Sequence, residues 1–215
     1  MSNYLSEQEQ LDTIKKWWNQ YGSALTTVIL LIALSYAGWQ WYKSTEEKRA
    51  VQASQSYEQL LSALSSQDDT QSNLLAERVI TDFPKTIYAD FASFTLAYNA
   101  VYHGALDDAK RYLQRVIDQS TVAEAKQIAR IRLARILNEQ QHYEQALELL
   151  SKVEYEALTA MIEEMKGDIY LAQGKLTEAK AAYQITLAQL SEAGVSSPLL
   201  QMKAQNVPQE KILTE

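Results

Sequence analysis

The chain has no cysteine, and its 215 residues include only 6 glycines, 3 prolines and 2 histidines. Without cysteine there is no disulfide framework, no thiolate chemistry and none of the most diagnostic zinc ligands. The compartment stays open, because cysteine-free domains occur in periplasm and cytosol alike. Scarce glycine and proline leave few breaks in a chain rich in Ala, Leu, Gln, Glu and Lys, residues that lose little rotamer freedom in a helix. A basic surplus is missing too. Residues 1–42 hold two lysines and three acids, and the remainder holds 18 basic and 24 acidic residues, a net charge of −6. That sign disfavours nucleic acid, since no cationic excess exists to displace phosphate counterions.

Against this background, Ser23 to Tyr42 stand out as 20 positions without formal charge, centred on Val28-Ile29-Leu30-Leu31-Ile32-Ala33-Leu34. As a helix they reach about 30 Å, the hydrocarbon thickness of a bilayer. Trp17, Trp18 and Tyr21 precede the run, and Trp39, Trp41 and Tyr42 end it. Such paired aromatic girdles mark the two headgroup levels of a transmembrane span. Two rival readings fit less well. Ser35-Tyr36-Ala37 loosely matches a signal-peptide cleavage site, but the preceding polar region is long and bears Glu7, Glu9 and Asp12. A buried core helix would carry one apolar stripe, whereas apolar residues here surround the circumference.

Before the span, Ser6 and Glu9 form a capping-box pattern, and Leu11, Ile14, Trp18 and Tyr21 recur at helical spacing beside Lys15 and Lys16. Residues 6–20 therefore read either as a short helix on the membrane surface or as a partly ordered tail. Lysines 15 and 16 on one side face Lys43, Lys48 and Arg49 on the other. The positive-inside count does not orient the span.

Beyond the span, four segments share one pattern of helix, turn and second helix with an alanine near its start. The alanines are Ala76, Ala109, Ala146 and Ala179, separated by 33, 37 and 33 residues. This is close to the tetratricopeptide period of about 34. The last copy is the clearest, with Gly167, Tyr170, Gly174, Ala179 and Tyr183. A small residue on each first helix (Ala97, Ala134, Gly167) and the alanine on each second helix allow close approach. A larger side chain one turn on (Leu113, Leu150, Tyr183) fills the gap. His103-Gly104, Gln140-Gln141-His142 and Gln173-Gly174 read as the turns. The first copy, Tyr57 to Phe83, is degenerate, with a longer polar turn expected over 65–70 and Pro84 closing it. No single repeat buries its apolar face alone, so the copies stack into one all-α solenoid. Ser197 as N-cap and Pro198 at the first position start a short terminal capping helix through about Gln205, and residues 207–215 are expected to fray.

Lys15-Lys16-Trp17-Trp18 before Gly22, a span ending in Gly38-Trp39, Ile131-Arg132-Leu133-Ala134-Arg135, Lys166-Gly167-Asp168 and Gln201-Met202-Lys203 follow one another in order. In that order, on an anchor-plus-repeat layout, the chain resembles the YfgM family, ancillary subunits of the bacterial SecYEG translocon. The resemblance covers nearly the whole chain. It departs at Trp17-Trp18, where phenylalanines are expected, and across residues 62–82. It implies a single-pass inner-membrane protein with its N-terminus in the cytoplasm and its repeat domain in the periplasm. It also implies association with the translocon and with a membrane-anchored periplasmic chaperone. The expected layout is a cytoplasmic amphipathic segment over 1–22, a transmembrane helix over 23–42, repeats over 43–195, and a capping helix and tail over 196–215.

The residues give catalysis little support. His103 and His142 both fall in turns, and His142 with Glu144 diverge on a helix rather than pairing as metal ligands. There is no phosphate loop, nucleophile elbow or paired-histidine motif, so no enzyme activity, cofactor or metal is expected. Binding is better supported. In a tetratricopeptide solenoid the first helix of each repeat lines the concave face. In the second repeat that helix offers Phe91, Phe94, Tyr98 and Tyr102, whose offsets of 3, 4 and 4 place them on one stripe. The equivalent positions downstream are Ile128, Ile131, Arg135 and Asn138, then Met161, Glu164, Asp168 and Leu171. The expected groove holds a protein or peptide segment, with Phe91, Phe94, Tyr98, Tyr102, Ile131, Arg135, Asn138, Glu164 and Asp168 as candidate contacts. Packing between repeats is the alternative use of the rings, most of all for Phe91 and Phe94. Arg130, Arg132 and Arg135 read as a solvated charged face. Within the span, Gly22, Ser35 and Gly38 are candidate helix contacts, because small side chains permit close approach. A scaffold for envelope assembly or division, unrelated to export, shares every one of these features.

Overall fold

The computed structural model describes residues 7–208, and every regular element among them is helical. Helix α1 spans Glu7–Ser65, α2 Asp69–Asp82, α3 Ile87–Tyr102, α4 Leu106–Gln119 and α5 Ala123–Glu139. Helix α6 spans Tyr143–Ser151, a 3₁₀ turn Glu156–Leu158, α7 Thr159–Ala172, α8 Leu176–Glu192 and α9 Pro198–Gln205. The chain forms two compact units, divided between Val51 and Gln52. The Ser6 capping box and the tail beyond Pro208 lie outside the described residues.

The N-terminal unit is α1 up to Val51. It runs without a break through positions 22–23 and 42–43, so the expected surface segment and span form one continuous helix. Leu25, Ile29, Ile32, Leu34 and Tyr36 are all exposed, covering successive faces of the helix. This is the all-round apolar surface of a segment long and apolar enough to cross a membrane. Three of its hydroxyls are satisfied within the helix. Thr26 and Thr27 donate to the Ser23 carbonyl at 2.9 and 2.8 Å, and Ser35 donates to the Leu31 carbonyl at 2.8 Å. In hydrocarbon an unsatisfied hydroxyl is costly, so this back-bonding removes the penalty of three polar side chains.

The second unit begins with the last turns of α1 and is a stack of helix pairs. Each helix packs on its neighbour in chain order from α2 to α9, and α5 also touches α7. The repeat alanines Ala76, Ala109, Ala146 and Ala179 are all fully buried. Leu60 of α1 packs with Ala76, Val79, Ala92 and Leu96. Leu113, Leu150, Ile162 and Ile169 belong to the central cluster, and Tyr183, Leu200 and Val207 close the far end. Val207 is thus docked rather than frayed.

The four intra-repeat turns are one structure. After α1, α3, α5 and α7 a residue takes the left-handed conformation: Gln67, Gly104, Gln141 and Gly174, with φ of 57°, 75°, 63° and 75°. Each is followed by an amide bonded five residues back, as with Ala105 to Ala100 at 2.8 Å and His142 to Leu137 at 2.8 Å. These bonds satisfy carbonyls the helix end leaves over. The first turn follows the same plan, with Asp68 bonded to Ala63 at 3.2 Å, and is not the longer loop expected over 65–70. Asp68 then caps α2 by accepting the Gln71 amide at 2.9 Å. The polar run over 65–70 hid the match, because its outer residues belong to α1 and α2.

Buried polar groups tie the layers together. Asp90, 2% exposed, accepts a hydrogen bond from Ser120 at 2.6 Å and faces Arg115 at 3.6 Å. Arg115 also donates to Ser93 Oγ at 3.0 Å and the Pro84 carbonyl at 2.7 Å, stitching α4 to the α2–α3 connection. Burial raises the Asp90 carboxyl above its usual range despite these partners. Arg130 is only 5% exposed and meets Glu154 at 2.5 Å, so it is a packing residue and not part of a solvated arginine face. Gln127 accepts the Glu154 amide at 2.9 Å, fixing the long α6–α7 connection to α5.

Candidate functional site

The stripe on α3 divides along its length. Phe91 stacks with Tyr57 at a centroid distance of 5.8 Å, and Phe94 is partly covered, with the Arg132 guanidinium 4.7 Å from its ring centre. Both rings thus make packing contacts. Tyr98 and Tyr102 remain 69% and 76% exposed. An open ring that size contributes nothing to the core, and its hydroxyl stays with solvent or a partner.

Tyr98 borders a hollow of about 440 Å³ between α3 and α5. Its floor is Ala97, Leu113 and Ile136, its walls Val101 and Leu106, and its rim Arg132, Arg135 and Glu139. The floor follows from the repeat. Ala97 is small where α3 and α4 approach, and Leu113 fills the space behind it. The rim follows from α5, whose other faces are buried at Ala129, Leu133 and Ala134, leaving Arg132 and Arg135 to project. A larger hollow of about 610 Å³ lies between α4 and α6. On its α4 side the long polar side chains already have partners, Lys110 bonding Asp107 at 2.8 Å and Gln140 at 3.1 Å, Arg111 bonding Asp108 at 3.1 Å and Gln114 bonding Asp118 at 2.9 Å.

Of the other expected groove residues, Ile131 is only 3% exposed and belongs to the core, so it offers no surface. The register of α5 turns it inward, and Arg132 and Arg135 take the outer positions. Asn138 is half-buried, with its side-chain oxygen enclosed and unpaired among the described residues. Glu164 and Asp168 are taken by the chain itself. Lys203 of α9 donates to Glu164 at 2.8 Å and to both Asp168 oxygens at 2.9 Å. The Tyr183 hydroxyl donates to Asp168 at 2.7 Å. Burial, then the bond to Asp168, pushes the Tyr183 phenol well above its ordinary range. Burial works to lower the Lys203 pKa, but its bonds to Glu164 and Asp168 outweigh that and raise it. The aromatic end of the stack is therefore open and the acidic end is closed by the capping helix.

In the apolar segment, the Trp18 ring covers Gly22, lying 3.1 Å from where a Cβ would stand. The Ser35 hydroxyl is bonded within its own helix, and Gly38 is open, with nothing within 4 Å of a Cβ position. Among the described residues no group of histidines and carboxylates could hold a metal ion.

Helix pairs stacked at this period, joined by one repeated turn and ended by a capping helix, define a tetratricopeptide-like repeat protein. Residues 15–209 match the tetratricopeptide repeat-like domain family, and the chain belongs to it. Its relatives are more particular. The chain is 26% identical over 214 residues to an Escherichia coli protein named Ancillary SecYEG translocon subunit, spanning 96% of this chain and 99% of that one. Proteins of the same name from Haemophilus influenzae and Neisseria gonorrhoeae are 25% and 27% identical, over 96% and 94% of this chain and 100% and 98% of theirs. The likeness therefore runs through both the apolar helix and the repeats.

Proposed function

We propose that the chain is a membrane-anchored adaptor, an ancillary subunit of a SecYEG-type translocon that binds protein segments and has no enzymatic role. The observation that carries this reading is end-to-end similarity to relatives bearing that name, from the apolar helix to the cap. The geometry supports the same conclusion. An apolar hollow bordered by the open Tyr98, with Tyr102 open one turn further along α3, suits a protein segment, because aromatic side chains contribute much of the energy at interfaces. In this reading the apolar part of α1 crosses the inner membrane with the N-terminus in the cytoplasm. The repeats stand in the periplasm, where they link the channel to a membrane-anchored chaperone and assist exported proteins. Gly38, open on its helix face, is the contact through which α1 meets another transmembrane helix.

Native co-purification tests the assignment. Membranes are solubilised in mild detergent, the full-length chain is captured, and its partners are identified by mass spectrometry beside a chain lacking residues 1–42. Channel subunits and a periplasmic chaperone should be enriched with the full-length chain, and partners that survive the deletion map to the repeats. Recovery of cell-wall or outer-membrane assembly proteins in their place would reassign the chain to envelope assembly.

A further inference from the structure

The groove between α3 and α5 differs in charge from the rest of the molecule. The chain carries a net charge of −7, yet this rim presents Arg132 and Arg135 against the single carboxylate of Glu139. Among the described residues neither arginine has a carboxylate within 4.0 Å, whereas Arg78, Arg111, Arg115 and Arg130 each have one. Arg132 is held in place by its stack on Phe94, with its guanidinium 4.7 Å from the ring centre. Its charge is disfavoured first by burial and then by repulsion from Arg135. Two adjacent cations that repel one another and lack an internal partner gain most from an external anion. The apolar floor and Tyr98 lie beside them.

We propose that this groove takes an acidic protein segment. One of the segment's apolar side chains enters the hollow between Tyr98 and Ile136, and its carboxylates pair with Arg132 and Arg135. The proposal rests on the reading of the groove as a protein-binding site and names the class of segment bound there. Arg132 supplies a fixed donor, Arg135 an adjustable one, and their paired positive charges, only partly offset by Glu139, repel a lysine-rich competitor. The acidic pair at the other end of the stack is already bonded to Lys203, so a basic segment finds no open counterpart there.

The test uses the full chain in lipid nanodiscs and three labelled peptides of equal length. All share their leucine and tyrosine positions and carry glutamate, serine or lysine at the positions between. Binding is read by fluorescence anisotropy at low and moderate salt. The glutamate peptide should bind tightest and the lysine peptide weakest, with the difference shrinking as salt rises. Arg135→Glu, at an exposed position clear of the ring stack, should weaken the glutamate peptide by about tenfold or more. Arg132→Gln should weaken it as well. Tyr98→Ala should weaken all three peptides, which reports the groove separately from its charge preference. Equal binding of the three peptides, lost in Tyr98→Ala, would keep the groove and overturn the acidic partner. Binding of the glutamate peptide that ignores Arg135→Glu, or no binding at all, would overturn the proposal. So would a dimer of the free chain that Arg135→Glu dissolves, since the occupant would then be a second copy.

Discussion

A methyl group added at Gly167 should loosen the terminal repeat, although alanine is the better helix former. The Cβ would stand 2.6 Å from Tyr183 Cε1 and 2.7 Å from Cδ1. Carbon atoms prefer separations of about 3.5–4.0 Å, so the ring must retreat by about 1 Å. It has no room to do so, being fully buried and bonded through its hydroxyl to Asp168. Overpacking costs about 1–3 kcal/mol, and weakening the phenol bond costs about 1 kcal/mol more. The helix-propensity gain of about 1 kcal/mol leaves a net loss of about 1–3 kcal/mol. For a unit of this size that lowers Tm by roughly 2–4 °C per kcal/mol. The preceding repeats show the remedy, since they use Ala97 with Leu113 and Ala134 with Leu150. Tyr183→Leu alone should also destabilise, because it leaves a gap over Gly167 and removes a donor from Asp168. The double variant Gly167→Ala, Tyr183→Leu recreates the pair used upstream, so the two losses should overlap by about 1 kcal/mol or more. Thermal melts of the full chain in detergent, followed by circular dichroism, read the cycle, and hydrogen exchange reads α9. A neutral or stabilising Gly167→Ala, or losses additive within about 0.5 kcal/mol, would refute the reasoning.

Gln67 and Gln141 hold left-handed turns that glycine adopts without strain, so either change to glycine should raise stability by about 0.5–1 kcal/mol in thermal melts. Arg115→Ala leaves Asp90 buried without its cation and should cost about 3 kcal/mol in denaturant unfolding, whereas Arg115→Ala with Asp90→Ala should cost less than the two single losses combined. Tyr183 and Lys203 both have pKa values raised by folding, so their contribution is complete below about pH 10 and is lost as pH climbs above it. Alkaline titration should therefore free α9 first, seen as hydrogen exchange in 198–205 rising before exchange in α3 to α5. Gly38→Leu should reduce recovery of membrane partners without lowering expression, and unchanged recovery would remove Gly38 as a helix contact.

The repeat was legible because its signals are local and periodic. Buried alanines at a fixed spacing, glycine turns and the Ser197-Pro198 start all act within a few residues. Ser197 does accept the Leu200 amide, at 3.4 Å, and Pro198 opens α9. The first turn was hidden by the polar run over 65–70, which reads as loop although Ser65 belongs to α1 and Asp69 and Thr70 to α2. The groove was half legible. The stripe on α3 was visible, but equivalence by repeat offset placed Ile131 at the surface, although its counterpart Phe94 is itself partly covered and Ile131 lies in the core. Arg130 was grouped with its neighbours because charge alone does not reveal that Glu154, 24 residues away, turns back to meet it. Lys203, 35 residues after Asp168, closes the acidic end by a contact of the same kind. Such pairings depend on where the chain returns, which periodicity does not encode.

The most direct test of the adaptor reading is photocrosslinking in native membranes, with a photoreactive phenylalanine in place of Tyr102 in the full chain. Tyr102 is open and at the end of the aromatic stripe, so the probe reports what visits the groove without disturbing the core. The account predicts crosslinks to channel subunits, a periplasmic chaperone or chains in export, lost when Arg135→Glu and Tyr98→Ala are added. Crosslinks to cytoplasmic proteins alone, or a pattern unchanged by those two substitutions, would contradict it.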